Sequence, residues 1–145
     1  MIVSEIMTTE LHTLGPNDRL IDAHTLMLNK NIRHVPIVTE DGLLLGIVSH
    51  RDLLLATPNP CFEHQSNAFS KTTIYEIFRT GIETITSDSG ARLAALTLEK
   101  FKIGCLPVVD NERLVGIVTS SDFVAISINL MEQFEIAEQE AMEYM

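Results

Sequence analysis

The chain repeats itself. Val3–Val38 ("VSEIMTTELHTLGPNDRLIDAHTLMLNKNIRHVPIV") laid over Ile74–Val109 ("IYEIFRTGIETITSDSGARLAALTLEKFKIGCLPVV") keeps a constant offset of 71. Glu5 falls on Glu76, Ile6 on Ile77, Thr9 on Thr80, Thr13 on Thr84 and Ala23 on Ala94. Pro36 falls on Pro107 and Val38 on Val109. One residue fewer in the following turn shifts the offset to 70: Gly46-Ile47-Val48 meets Gly116-Ile117-Val118, and Asp52 meets Asp122. An internal duplication restricts the fold more than any local propensity does, because both copies must adopt one structure and bury their apolar faces against each other. A half of about fifty-five residues buries too little surface to stand alone. The two copies are therefore expected to share a core and to leave two related clefts between them.

Each copy reads as β-α-β-β-α. A short apolar turn (Ile6-Met7; Ile77-Phe78) leads into a brief β-like stretch at Thr13-Leu14 and Thr84-Ile85. An amphipathic helix follows. In the first copy it begins near Asp18 with Leu20, Ala23 and Met27 on one face. In the second, Ser89 is the expected N-cap, followed by Ala91, Ala94 and Leu98. "HVPIV" and "CLPVV" are β-rich, and their prolines place these strands at an edge or at a strand start. The turns "TEDG" and "DNER" lead into "LLLGIV" and "LVGIV", which read as buried strands, and a second helix follows each Asp. The fold class is α/β (α+β). The repeats are read as residues 1–56 and 74–128, joined by a Pro-containing connector at 57–73. Residues 129–145 read as an acidic amphipathic helix with Leu130, Phe134, Ala137, Ala141 and Met145 on one stripe. That stripe packs on the protein's own core or serves as a dimer or partner contact.

Charge and composition narrow the function. The formal net charge is −10, which disfavours a polyanionic nucleic-acid partner. Residues 131–145 hold five Glu and no Lys or Arg, so the remainder is less acidic, and a local basic pocket is open around "NKNIRH". No apolar run reaches the eighteen or so residues of a membrane span, and the first residues lack a secretory pattern. A soluble, cytoplasmic protein is expected. Cys61 and Cys105 form no CxxC pair, and no histidine spacing beside them suggests a metal. Cys105, in "IGCLPVV", reads as a small core residue. No nucleophile with an adjacent base and no phosphate loop is recognisable, so an enzyme is not expected.

The chemistry concentrates in "GIVSHRD" and its echo "GIVTSSD". Ser49…Asp52 and Thr119…Asp122 both fit the capping-box form, which by itself only starts a helix. The same oxygens can instead hold a ligand, and a helix start can do both.

The tandem β-α-β-β-α order, the "EIM"/"EIF" lead-in, the Pro-containing strands and the doubled Gly-h-h-Ser/Thr-x-x-Asp motif resemble the cystathionine-β-synthase (CBS) domain pair, or Bateman module. The resemblance covers about Val3 to Ile128. It implies a regulatory module that binds an adenosine-containing ligand (AMP, ADP, ATP or S-adenosylmethionine), needs no other cofactor and associates as a homodimer. By matching positions it places Thr119, Ser121 and Asp122 in one cleft, facing Thr8, Ile32, Arg33 and His34. The other cleft would use Ser49, Arg51 and Asp52, facing Arg79, Ile103, Gly104 and Cys105. Arg33 and His34 are candidates for either. The implied chemistry is coherent. A carboxylate can accept from both ribose hydroxyls, a helix start and Arg51 or Arg33 suit phosphate, and Ile103-Gly104-Cys105 could line a flat adenine slot. His50 is expected to face solvent. With no effector domain recognised, a regulated protein would act in trans. The alternative is a structural dimerisation module with degenerate clefts and the acidic helix as a partner handle.

Overall fold

Leu20, Ala23 and Met27 recur at helical spacing, and a helix forms that turns them inward: α2, Leu20–Lys30, in a computed structural model that describes residues 1–56 and 71–145. Most of the expected connector, with Cys61, lies outside the described residues. Before α2 comes a four-residue helix, α1 (Val3–Ile6), and after it β1 (His34–Val38), β2 (Leu44–Ser49) and α3 (His50–Ala56). The second repeat has a 3₁₀ turn at Ile74–Glu76 in place of α1, then α4 (Ala91–Phe101), β3 (Cys105–Asp110), β4 (Arg113–Thr119) and α5 (Ser120–Glu143). Both α2 and α4 end on a left-handed residue, Asn31 (φ 53°) and Lys102 (φ 54°), again 71 positions apart. Thus the repeat extends to backbone geometry.

Each repeat contains one antiparallel hairpin. His34 faces Ser49 and Pro36 faces Ile47 in the first, and Cys105 faces Thr119 and Pro107 faces Ile117 in the second. A bulge follows Ile37 in one and Val108 in the other. The second hairpin turns through Asn111 and Glu112, both at positive φ, the twist that a two-residue turn requires. The first spends a residue more, with Gly42 at φ 84° and the Thr39 hydroxyl accepting from Leu43 N–H at 3.1 Å. This is the physical form of the offset change from 71 to 70.

Three expectations change. The opening β-stretch of each repeat contracts to a single parallel bridge, Leu14 to Ile37 and Ile85 to Val108. Pairing stops there because the next ladder donor, two residues on, is missing or taken: Pro16 has no N–H, and Ser87 N–H binds Asp110 (3.0 Å). Ser89 does not cap α4. Gly90 holds the N-cap position, while the Ser89 hydroxyl bonds Thr86 (2.7 Å) and its carbonyl accepts from Val3 (2.8 Å). The β2 and β4 strands bury one face only, with Gly46, Val48, Gly116 and Val118 inward.

There are two core clusters rather than one shared core. The first holds Leu20, Ala23, Met27, Val35, Ile37, Val48 and Leu53, and with them Ile74 of the second repeat. The second holds Ile85, Ala94, Leu98, Leu106, Val108 and Val118, and with them Val3 of the first. The lead-in segments are exchanged: each repeat's opening turn is packed into its neighbour's core. Backbone bonds fix the exchange in matching pairs, Val3 N–H to Ser89 C=O (2.8 Å) and Ile74 N–H to Asp18 C=O (2.8 Å). The lead-ins then continue across the other repeat's hairpin. Thr8 bridges Ile117, and Arg79 bridges Ile47. This crossing of Thr8 over Ile117 borders a cavity between the repeats.

Candidate functional site

The two helix starts are built alike and used differently. At α3, Asp52 N–H donates to the Ser49 hydroxyl (3.1 Å) and Ser49 N–H donates to Asp52 Oδ2 (2.8 Å), a complete capping box. At α5, Thr119 N–H donates to Asp122 Oδ2 at 2.8 Å, and the Thr119 hydroxyl adds a longer contact of 3.3 Å. Capping therefore consumes one carboxylate oxygen in each repeat and leaves the other. In Asp52 that remaining oxygen, Oδ1, accepts from both Nε and Nη2 of Arg79, each at 2.9 Å, and the side chain is 8% exposed. Asp122 is half-buried, and its Oδ1 has no such partner among the described residues.

Between the repeats lies a cavity of about 670 Å³. Thr8, Glu10, Leu11 and His12 of the first lead-in form one wall, and Asn31 to His34, with Pro36, form a second. Gly104, Ile117, Thr119 and Ser121 of the second repeat close it. Its size and mixed lining suit a small organic ligand with a few polar attachment points. Arg33 and Glu10 are its charged side chains, and both are exposed enough to meet a ligand from solution. A backbone bond also ties each wall to a helix start: His50 N–H donates to Arg33 C=O (2.7 Å) and Ser120 N–H to Gly104 C=O (3.1 Å).

His34 and Gly104 meet where the two repeats join. A methyl group on Gly104 would stand 3.4 Å from His34 Cε1, so a larger residue would press on the imidazole. Burial holds the His34 pKa below its ordinary 6.5, with the Asp52 charge pulling it up and Arg33 pushing it down. His34 thus lines the first cleft and senses the carboxylate of the second. Cys105, its counterpart in the second repeat, is 6% exposed. Burial, with the Asp122 charge nearby, pushes its thiol up to about 12, which keeps it a thiol and not a nucleophile at neutral pH.

The structure therefore gathers Thr8, Ile32, Arg33, His34, Thr119 and Ser121 around one open cavity, with Asp122 adjacent in sequence to that lining but not part of it. Gly104, assigned by matching to the other cleft, lines this one. Ser49, Asp52 and Arg79 come together as an internally bonded cluster. Ile103 packs on the second core and Cys105 is buried in β3, so neither lies open as the expected adenine slot. Arg51 is exposed and makes no hydrogen bond or ion pair among the described residues, and His50 is exposed as expected. Glu10, Leu11, His12, Asn31, Pro36 and Ile117 were not anticipated. The run "TTELHT" carried a signal, since polar residues between two fixed bridge points, Thr8 and Leu14, must cross a surface. No group of three or more His, Cys, Asp or Glu among the described residues is placed to hold a metal.

The family model for the CBS domain matches this chain twice, at residues 3–59 and 74–129. Among solved structures, a Vibrio cholerae protein provisionally described as an acetoin utilization protein shares 44% identity at a TM-score of 0.79, over 93% of this chain and 96% of that one. A CBS domain pair in complex with 5′-methylthioadenosine and S-adenosyl-L-methionine shares 32% identity at a TM-score of 0.76, over 89% and 97%. The protein CBSX2 in complex with AMP shares 26% identity at a TM-score of 0.76, over 90% and 98%. The chain spans only 22–25% of the length of the first curated relatives it matches, among them a homoserine O-acetyltransferase of Methanococcus vannielii.

Proposed function

The chain belongs to the CBS-domain family, and from that premise we propose that it is a regulatory module that takes an adenosine-containing ligand in the cleft between Thr8 and Thr119. The observation that carries this reading is the open cavity beside a half-buried aspartate that keeps one carboxylate oxygen unpaired among the described residues; it is supported by similar chains solved in complex with AMP or with S-adenosyl-L-methionine. Asp122 accepts ribose hydroxyls through Oδ1 after a small rotation of the Thr119–Ser121 wall, and Thr8, Thr119 and Ser121 supply neutral hydroxyl partners. Arg33 meets the phosphate. With one arginine, Arg33, and one glutamate, Glu10, in its lining, the cavity suits a single phosphate, or the zwitterionic tail of S-adenosylmethionine, better than a triphosphate. AMP is therefore placed ahead of ADP and ATP, with S-adenosylmethionine as the second reading.

Regulation follows from where the ligand sits. It touches the lead-in of one repeat and the hairpin of the other, so it favours one relative setting of the two and transmits at most its differential affinity for that setting. A separate protein or subunit reads the result. Two chains pair through the apolar face of α4 and α5, where a groove is lined by Leu98, Phe123, Val124, Ile128 and Met131.

Titration calorimetry with AMP, ADP, ATP and S-adenosylmethionine tests the reading. One of them is expected to bind, and Asp122→Asn is expected to weaken it about 10- to 100-fold, the worth of a charge-assisted hydrogen bond. Absence of heat and of thermal stabilisation with all four at millimolar concentration would reject an adenosine ligand.

A further inference from the structure

The two clefts are related by the repeat, yet their lead-in residues differ in kind. Thr8 and Arg79 occupy matching positions, 71 residues apart. Each is pinned by a reciprocal pair of backbone bonds to the matching residue of the opposite hairpin. Thr8 exchanges bonds of 2.9 and 3.0 Å with Ile117, and Arg79 exchanges bonds of 3.0 and 3.1 Å with Ile47. From this shared anchor a threonine is too short to reach the facing aspartate. An arginine reaches it. Its Nε and Nη2 both donate to Asp52 Oδ1 at 2.9 Å, while Oδ2 is held by Ser49 N–H at 2.8 Å.

We propose that the second cleft is self-occupied: Arg79 holds the Asp52 carboxylate where ribose hydroxyls would otherwise bind, so each chain takes one adenosine ligand, in the first cleft. This rests on the function proposed above. Asp52 has no oxygen left over, since both are engaged by donors of the chain itself. A ribose must displace two bonds from a full cation with two from neutral hydroxyls, which donate to the carboxylate but bring no countercharge to it. The displaced guanidinium would also leave a carboxylate that is 8% exposed without its countercharge. The Arg79 side chain is 62% exposed, so it is held in place by its bonds to Asp52 and not by a surrounding wall.

A reciprocal exchange tests this. The full chain is titrated with AMP and with S-adenosylmethionine, as wild type, as Arg79→Thr, which copies the first cleft, and as Thr8→Arg, which copies the second. Stoichiometries of one, two and zero per chain are expected for whichever ligand binds. Retained binding in the first cleft shows that Arg79→Thr is folded. If that variant does not fold, Thr8→Arg, a substitution at an exposed position, decides alone: its loss of at least 10-fold in affinity supports the closure, and unchanged affinity overturns it. A stoichiometry of two in the wild type, or of one in Arg79→Thr, overturns the self-occupied cleft and leaves the proposed function standing. No binding by any of the three removes both.

Discussion

His34 sets a pH limit on the fold. Burial keeps its imidazole below the ordinary 6.5, so between that lowered value and 6.5 the unfolded chain carries a proton that the folded chain refuses. The sign is fixed by that difference. Stability is fully present above about 6.5 and declines as the pH falls through 6.5 towards the native value. The Asp110 carboxyl is held below its ordinary 3.8 by bonds from the Ser87 hydroxyl and N–H, and its contribution is lost only as the pH falls below that range. Thermal unfolding followed from pH 7.5 to 5 is therefore expected to show a falling midpoint in the wild type and a flatter one in His34→Gln. An equal slope in both would assign the decline to other groups. His34 was legible in the sequence as a cleft candidate, because it precedes a proline strand beside Arg33. Its role at the junction of both clefts was not, since its contact with Gly104 spans seventy residues of chain. The Arg79–Asp52 pair was half legible. The two residues were assigned to one cleft, but spacing alone cannot say whether two facing residues bind a ligand or each other.

At the scale of elements, the crossing of lead-in over hairpin demands close backbone approach at one glycine more than at the other. A methyl group on Gly46 would lie 2.1 Å from the Arg79 carbonyl oxygen and 2.5 Å from the Phe78 ring. On Gly116 it would meet Met7 Sδ at 2.5 Å, a side chain with three rotatable bonds that can move aside. Gly46→Ala must break the Ile47–Arg79 bridge and is expected to cost roughly 1–3 kcal/mol, with Gly116→Ala costing less, about 1 kcal/mol, in urea unfolding. Equal losses would mean that both crossings yield alike. The helices α2 and α4 could be read from their 3.6-residue pattern, and the hairpins from their prolines and turn residues. The contracted first strands could not, because Thr13-Leu14 and Thr84-Ile85 have strand composition. In the second copy the pairing is cut short by the Asp110 carboxylate, which lies 25 residues from Ile85.

For the whole molecule, the apolar surface is unevenly placed. Val124, Ile128 and Met131 are 60–63% exposed on α5, beside the groove against α4. Light scattering is expected to give a dimer for the wild type and a monomer for the Val124→Glu, Ile128→Glu pair, with ligand binding in the first cleft kept within a few-fold. A wild-type monomer would contradict the pairing. No helix among the described residues is long and apolar enough to cross a membrane. The duplication made this architecture legible from the sequence, but not the exchange of lead-ins, because Val3 and Ile74 look like ordinary apolar residues of their own copies. That exchange has a consequence for ancestry and for dissection. A single repeat, cut loose, carries an arm with no socket and a socket with no arm. Two such units satisfy each other only by clasping in a closed two-fold pair, so the arrangement within this one chain is that of a swapped dimer whose ends have been joined.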